Sequence, residues 1–162
     1  MFKDIRIVLI FSVVLLDIIG IGVIFPIIPD LLKEVGIDQT ASAAFWGGLL
    51  SSSYALMQFF FSPTIGTLSD IFGRRPILLV ASLLLGIDYL LMGFAENILI
   101  LFIGRIIGGL AGGTIATGTA YLADISDTKD KKKNFAIIGA AFGLGFILGP
   151  VIGCLLYTSP SP

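Results

Sequence analysis

The sequence has no histidine and only one cysteine, Cys154, among its 162 residues. A zinc site, a disulfide framework and a Cys–His nucleophile pair all need more of these residues. Charge is also scarce, because Asp, Glu, Lys and Arg make up 13% of the chain and leave a net charge of −1. That balance indicates neither a nucleic-acid partner nor an acidic one. We therefore expect no enzyme, no metal site and no cofactor, since no nucleophile–base set is present either.

Hydrophobic side chains are in excess and account for 56% of the residues. A soluble domain of this size could not cover so much apolar surface with polar groups. A helix needs about 20 mostly apolar residues to cross a bilayer. Five segments qualify, namely 5–28, 44–66, 76–95, 98–122 and 135–156. We predict an all-α integral membrane protein, because backbone groups in lipid must bond within their own segment.

Lysine and arginine are distributed unevenly over the joints between these segments. One side of the membrane receives only Lys33, in the joint 29–43. The other side receives eight basic residues: Lys3, Arg6, Arg74, Arg75, Lys129, Lys131, Lys132 and Lys133. Because basic residues concentrate in cytoplasmic loops, we predict that the N-terminus and the joints 67–75 and 123–134 face the cytoplasm.

Three ionisable residues, Asp17, Asp88 and Arg105, lie well inside the predicted spans, away from their ends. Each costs about 2.5 to 3.5 kcal/mol at a helix centre, so such residues usually serve a function. Asp88 precedes the joint 96–97 by about eight residues and Arg105 follows it by about as many. At 1.5 Å per residue, both lie roughly 12 Å from the end of this hairpin. We predict that they pair, either within a proton-handling site or as a structural ion pair that fixes helix register.

Asp17 lies near the middle of the first span and is followed by Gly20, Gly22, Pro26 and Pro29. These residues weaken or bend a helix. An acid beside such a stretch is typical of a proton or cation site on a water-lined path. A hydrogen bond to a neighbouring helix is the alternative explanation.

Small and polar residues also recur at helical spacing. Tyr54 and Gln58 lie one turn apart in the second span and could line the same cavity, although polar packing residues would show the same pattern. Glycines follow a four-residue spacing in the last two spans: Gly104, Gly108 and Gly112, then Gly139 and Gly143, and then Gly145, Gly149 and Gly153. Such rows let helix backbones approach closely, which predicts either bundle packing or dimerisation.

The charged interruption between the second and third spans reads GTLSDIFGRRPILL, residues 66–79. It resembles the loop 2–3 signature of the major facilitator superfamily. Further similar segments occur in order at 15–32, 54–79, 87–94, 104–126 and 139–153. Together, residues 8–153 are similar to the drug/proton antiporter branch, and most closely to the tetracycline/proton antiporters. The resemblance implies a partial major facilitator bundle, with five of an expected twelve transmembrane helices.

The resemblance also implies roles for particular residues. Asp17, Asp88 and Arg105 match proton-coupling residues of the family. A conformational latch would consist of Gly66, Asp70, Gly73, Arg74, Arg75 and Asp124, in which the glycines permit a tight reversal. The antiporter motif of the fifth helix would consist of Gly145, Gly149, Pro150 and Gly153.

We therefore expect residues 1–153 to be an incomplete N-terminal half of a transporter, and 154–162 to be a non-native tail. The full-length parent would export small, amphipathic, tetracycline-like drugs in exchange for protons, as a multi-pass protein of the bacterial inner membrane. Its partners would be the substrate, protons, the lipid bilayer and the missing C-terminal half, with no nucleic acid. The alternatives are a facilitator or importer of another small metabolite, and a non-transporting membrane fragment.

Overall fold

Every regular element that the computed structural model describes, over residues 5–37 and 39–158, is an α-helix. The helices are α1 (Ile5–Glu34), α2 (Thr40–Phe72), α3 (Arg74–Gly93), α4 (Ile98–Leu110), α5 (Thr114–Ile125) and α6 (Lys131–Thr158). Lys3, which entered the orientation argument, and residues 159–162 of the predicted tail lie outside the described residues. The all-α prediction is confirmed.

Four helical stretches are long and apolar enough to cross a membrane: α1, α3, α4 with α5 as Ile98–Ile125, and α6 as Lys131–Leu155. They coincide with the first, third, fourth and fifth predicted spans. The second predicted span, 44–66, lies within α2, which has 33 residues but is not one of these four stretches. Its serines bond to the helix's own carbonyls, as Ser51 does to Gly47 at 2.9 Å, which lowers the cost of placing hydroxyls in lipid. That α2 crosses the membrane stays a prediction.

The joint predicted at 67–75 shrinks to a single residue. Helix α2 continues to Phe72 and α3 begins at Arg74, so the chain reverses at Gly73, whose φ is 95°. Residues with side chains rarely adopt this left-handed backbone region, which explains the glycine. The predicted role of Gly66 in the reversal is wrong, because Gly66 lies inside α2. Pro76 occupies the first turn of α3, where its missing N–H is no loss.

The fourth predicted span is interrupted. Helix α4 ends at Leu110 and α5 begins at Thr114, with a turn over 111–113. Gln58 of α2 donates a hydrogen bond from Nε2 to the carbonyl oxygen of Gly112 at 2.9 Å. A side chain at Gly112 would not fit, because its Cβ would lie 2.5 Å from Cγ of Gln58. Helix α2 therefore stabilises the break, because Gln58 bonds to the Gly112 carbonyl, which has no partner within the helix.

Helices α1 and α6 pack with their backbones in near contact. A Cβ at Gly149 would lie 2.7 Å from Cα of Gly22, and one at Gly145 would lie 2.6 Å from a methyl carbon of Ile18. Gly153 similarly faces Pro26. The prediction of close packing is confirmed for these three glycines of α6. Gly139 and Gly143 do not take part in this packing, because a Cβ there would have no described atom of a neighbouring helix within 4 Å. For these two glycines, the alternative of dimerisation stays a prediction.

This difference within α6 supplies a matched pair of substitutions. Gly149→Ala should lower the stability of the protein by about 1–3 kcal/mol, because the new methyl group meets the backbone of α1. Gly139→Ala should be neutral or raise stability by about 0.5–1 kcal/mol, because alanine favours the helix and space is open there. Thermal unfolding of the purified protein in detergent measures both effects. Equal shifts for the two variants would contradict the packing described for α1 and α6.

Candidate functional site

A buried ion pair joins α3 to α4. Arg105 donates from a terminal guanidinium nitrogen to Oδ2 of Asp88. The Asp88 side chain is fully buried and that of Arg105 is 6% exposed. The pairing predicted from equal depth along the hairpin is therefore confirmed. Two charges so far from water need each other, because an unpaired buried charge is far more costly than a buried pair.

Glycines of α4 make the space for the Asp88 carboxylate. A Cβ at Gly104 would lie 3.0 Å from Oδ1 of Asp88, and a Cβ at Gly108 would overlap with Oδ2. These glycines lie on either side of Arg105 along α4. The glycine row of the fourth span thus brings α3 close enough for the ion pair to form.

Helix α2 covers the other side of the arginine. The guanidinium carbon of Arg105 lies 5.3 Å from the centre of the Tyr54 ring, which places the cation over the aromatic face. Gln58, one turn further along α2, is bonded to Gly112 at the break between α4 and α5. Tyr54 therefore contributes to the polar site and Gln58 supports the adjoining helix break. That either residue contacts substrate stays a prediction.

Asp17 of α1 is buried, and its Oδ1 has no hydrogen-bond partner among the described residues. Buried polar atoms are usually hydrogen-bonded. Oδ1 of Asp17 is therefore available for an interaction that the described residues do not supply. The carboxylate interacts electrostatically with Tyr54 and Tyr89, as do Asp88 and Arg105. All three charges predicted from the sequence therefore belong to one buried cluster.

Tyr89 of α3 is a member of this cluster that the sequence analysis missed. Its hydroxyl is buried and has no hydrogen-bond partner in the described part of the chain. Its ring occupies the space of a missing side chain at Gly20, where a Cβ would lie 2.8 Å from Cε2. Gly20 follows Asp17 by three residues, which places both on one face of α1. The side chain of Tyr89 thus extends from α3, which also carries Asp88, to the face of α1 that carries Asp17.

The charged turn forms a second cluster near the junction of α2 and α3. Arg74 contacts Oδ1 of Asp70 at 2.5 Å and Oδ2 of Asp124 at 3.0 Å. It also donates to the buried Ser69 hydroxyl at 2.6 Å. The predicted contacts among the latch residues Asp70, Arg74 and Asp124 are confirmed, and Ser69 is an additional contact. Arg75 is exposed and forms no ion pair with any residue in the described ranges.

The predicted antiporter motif packs directly on α1. Gly145, Gly149 and Gly153 all approach α1, and Pro150 lies inside α6 with its ring close to Gly22. The part of α1 that they contact begins next to Asp17, at Ile18. The motif therefore packs against α1, the helix that carries Asp17.

Within residues 5–37 and 39–158, no group of three or more Asp, Glu, Cys or His side chains is placed to hold a metal ion. The chemistry that the cluster offers is proton exchange and charge pairing, since a carboxylate can take up a proton while a guanidinium stays charged.

Known proteins are similar to this chain over most of its length. The sequence profile of the Major Facilitator Superfamily matches residues 10–162. The class C tetracycline resistance protein of Escherichia coli is 44% identical over 149 residues, which are 92% of this chain and 37% of that protein. The class H protein of Pasteurella multocida is 43% identical, over 93% of this chain and 37% of its own length. The class B protein of Escherichia coli is 42% identical, over 87% and 35%. The chain thus spans just over a third of the length of these relatives.

The buried pair can be tested by a double-mutant cycle. Asp88→Asn or Arg105→Gln alone should lower stability by about 3–5 kcal/mol, because each leaves the other group unpaired in the core. The double variant should lose clearly less than the sum of the two. Denaturation in detergent measures the coupling energy, with the more exposed pair Asp30 and Lys33 as the control, for which about 0–1 kcal/mol is expected. Additive losses at Asp88 and Arg105 would contradict the pairing.

Proposed function

The chain belongs to the major facilitator superfamily, and we propose that the transporter containing it exports small amphipathic drugs, tetracycline-like in chemistry, in exchange for protons. The chain would supply the first five of twelve helices, and a C-terminal half would complete the substrate path. The relatives named for tetracycline resistance support this choice of substrate class.

The observation that carries the proposal is the charge balance of the buried cluster. Asp17, Asp88 and Arg105 together hold a charge of −1 when all three are ionised. Asp88 is compensated by Arg105, whereas Oδ1 of the buried Asp17 has no partner in the described chain. A buried uncompensated acid favours the uptake of one positive charge. We assign that charge to a proton. The proton would enter from one side of the membrane, neutralise the cluster, and be released to the other side.

Each member of the cluster then has a distinct role. Asp17 would bind and release the transported proton. The Asp88–Arg105 pair, which is neutral as a unit, would hold α3 and α4 in register. The protonation of Asp17 would be coupled to the position of these two helices through Tyr54 and Tyr89, which interact electrostatically with all three charges. Tyr54 and Tyr89 would place polar groups on either side of this pair, within reach of electrostatic interaction with all three charges. One proton crossing roughly 150 mV yields about 3.5 kcal/mol, which sustains about a few-hundred-fold gradient of the drug.

The latch would hold one of the two states of the transport cycle. Arg74 joins the end of α2 to α5 through Asp70 and Asp124, both of which are largely exposed. Exposed ion pairs contribute only about 0–1 kcal/mol each. Such weak contacts suit a latch, because they can bias an equilibrium between two states without preventing the change.

We further propose that the transporter lies in the bacterial inner membrane with its N-terminus in the cytoplasm. The support is the excess of lysine and arginine on one side of the predicted spans. In that orientation the charged turn and the latch would face the cytoplasm.

The role of Asp17 is tested with inverted membrane vesicles that contain the intact transporter. Asp17→Asn should abolish drug uptake driven by an imposed pH gradient, because the side chain can no longer take up a proton. Asp30→Asn serves as the matched control, since it removes an acid from the same helix, outside the buried cluster, and should leave uptake unchanged. Gradient-driven uptake that persists in Asp17→Asn would remove this residue from the mechanism. If the unaltered protein moves the drug at the same rate with and without the pH gradient, it would instead be a facilitator.

A further inference from the structure

The two consecutive arginines of the charged turn have different surroundings. Arg74 is engaged by Asp70, Asp124 and Ser69. Arg75 is exposed, forms no ion pair with a described residue and borders a cleft of about 600 Å³ between α1, α3 and α5. The proposed transport mechanism uses neither Arg75 nor this cleft.

The cleft is basic at one end and apolar along its length. Arg6, in the first described turn of α1, and Arg75, at the start of α3, lie at the same end of two parallel helices. Leu9 and Val13 continue the wall along α1, and Leu79 continues it along α3. At 1.5 Å per residue, Val13 lies roughly 10 Å deeper than Arg6. Among the residues that the structure describes, none that lines the cleft is acidic.

This combination specifies the chemistry of an occupant. A guanidinium binds phosphate oxygens through two hydrogen bonds, and the N-terminus of α3 adds a favourable dipole for an anion. The apolar walls, where Leu9 and Leu79 are more than half exposed, fit a hydrocarbon chain. A free phosphate would leave these walls uncovered, and a zwitterionic lipid such as phosphatidylcholine would place a headgroup cation close to the guanidinium groups of Arg75 and Arg6.

We propose that the cleft binds one anionic phospholipid of the cytoplasmic leaflet. The headgroup phosphate contacts Arg75 and Arg6, and one acyl chain lies along Leu9, Val13 and Leu79. Basic pockets between membrane helices on the cytoplasmic side are suited to such headgroups. The bound lipid would join the ends of α1 and α3 beside the latch. This inference does not depend on which substrate is transported or on proton coupling.

The test is lipid binding to the intact transporter, purified in detergent and observed by native mass spectrometry. Phosphatidylglycerol should bind to the unaltered protein at least about fivefold more tightly than phosphatidylcholine. Arg75→Gln should weaken the binding of phosphatidylglycerol by about fivefold, as should Arg6→Gln, since each removes one headgroup contact. Lys132→Gln is the matched control, because it removes an exposed charge at the start of α6, outside the cleft, and should change nothing.

A second variant tests the apolar part of the cleft. Leu79→Trp places a larger side chain at an exposed position and should weaken phosphatidylglycerol binding while both arginines remain. Inorganic phosphate added in excess should not displace the lipid. The proposal is overturned if the two lipids bind equally or if Arg75→Gln matches Lys132→Gln. It is also overturned if phosphate competes as well as the lipid does, or if the intact transporter binds no lipid here because a later helix fills the cleft.

Discussion

The structure depends on one constraint, which is that charges inside an apolar bundle must be compensated. Asp88 and Arg105 meet it by pairing across the hairpin of α3 and α4. The pair fixes the register of the two helices, because sliding one by a single turn would part the charges by about 5.4 Å. It also fixes composition, since Gly104 and Gly108 must lack side chains where the carboxylate lies. The face of α2 that meets α4 then places the ring of Tyr54 against the guanidinium of Arg105.

The same device recurs for two other large polar side chains of this bundle, Tyr89 and Gln58. Tyr89 occupies the space of a side chain missing at Gly20, just as the carboxylate of the ion pair does at Gly108. Gln58 does so at Gly112 and there satisfies a carbonyl of the helix break. Glycine therefore serves two purposes in these helices. It lets backbones approach, as between α1 and α6, and elsewhere it makes room for polar groups that could not otherwise be buried.

Features that follow from position along a helix could be predicted from the sequence. Features that depend on which residue of another helix lies opposite could not. The pairing of Asp88 with Arg105 follows from equal distance to a short joint, so it was predictable. Gly66 and Gly73 look alike in the sequence, and only Gly73 adopts a positive φ, because a glycine is compatible with helix and turn alike. Tyr89 gave no signal, because a tyrosine in an apolar run is ordinary. Its importance arises from a glycine on another helix, which periodicity cannot reveal.

The charged turn shows how helix geometry gives adjacent residues separate tasks. Consecutive side chains on a helix point about 100° apart, so Arg74 and Arg75 at the start of α3 cannot face the same neighbour. One is directed to the acids of α2 and α5, and the other to the cleft beside α1. A lysine in place of Arg74 could not maintain three contacts through three guanidinium nitrogens. Arg75 cannot replace Arg74, because its position on the helix surface excludes it from the latch.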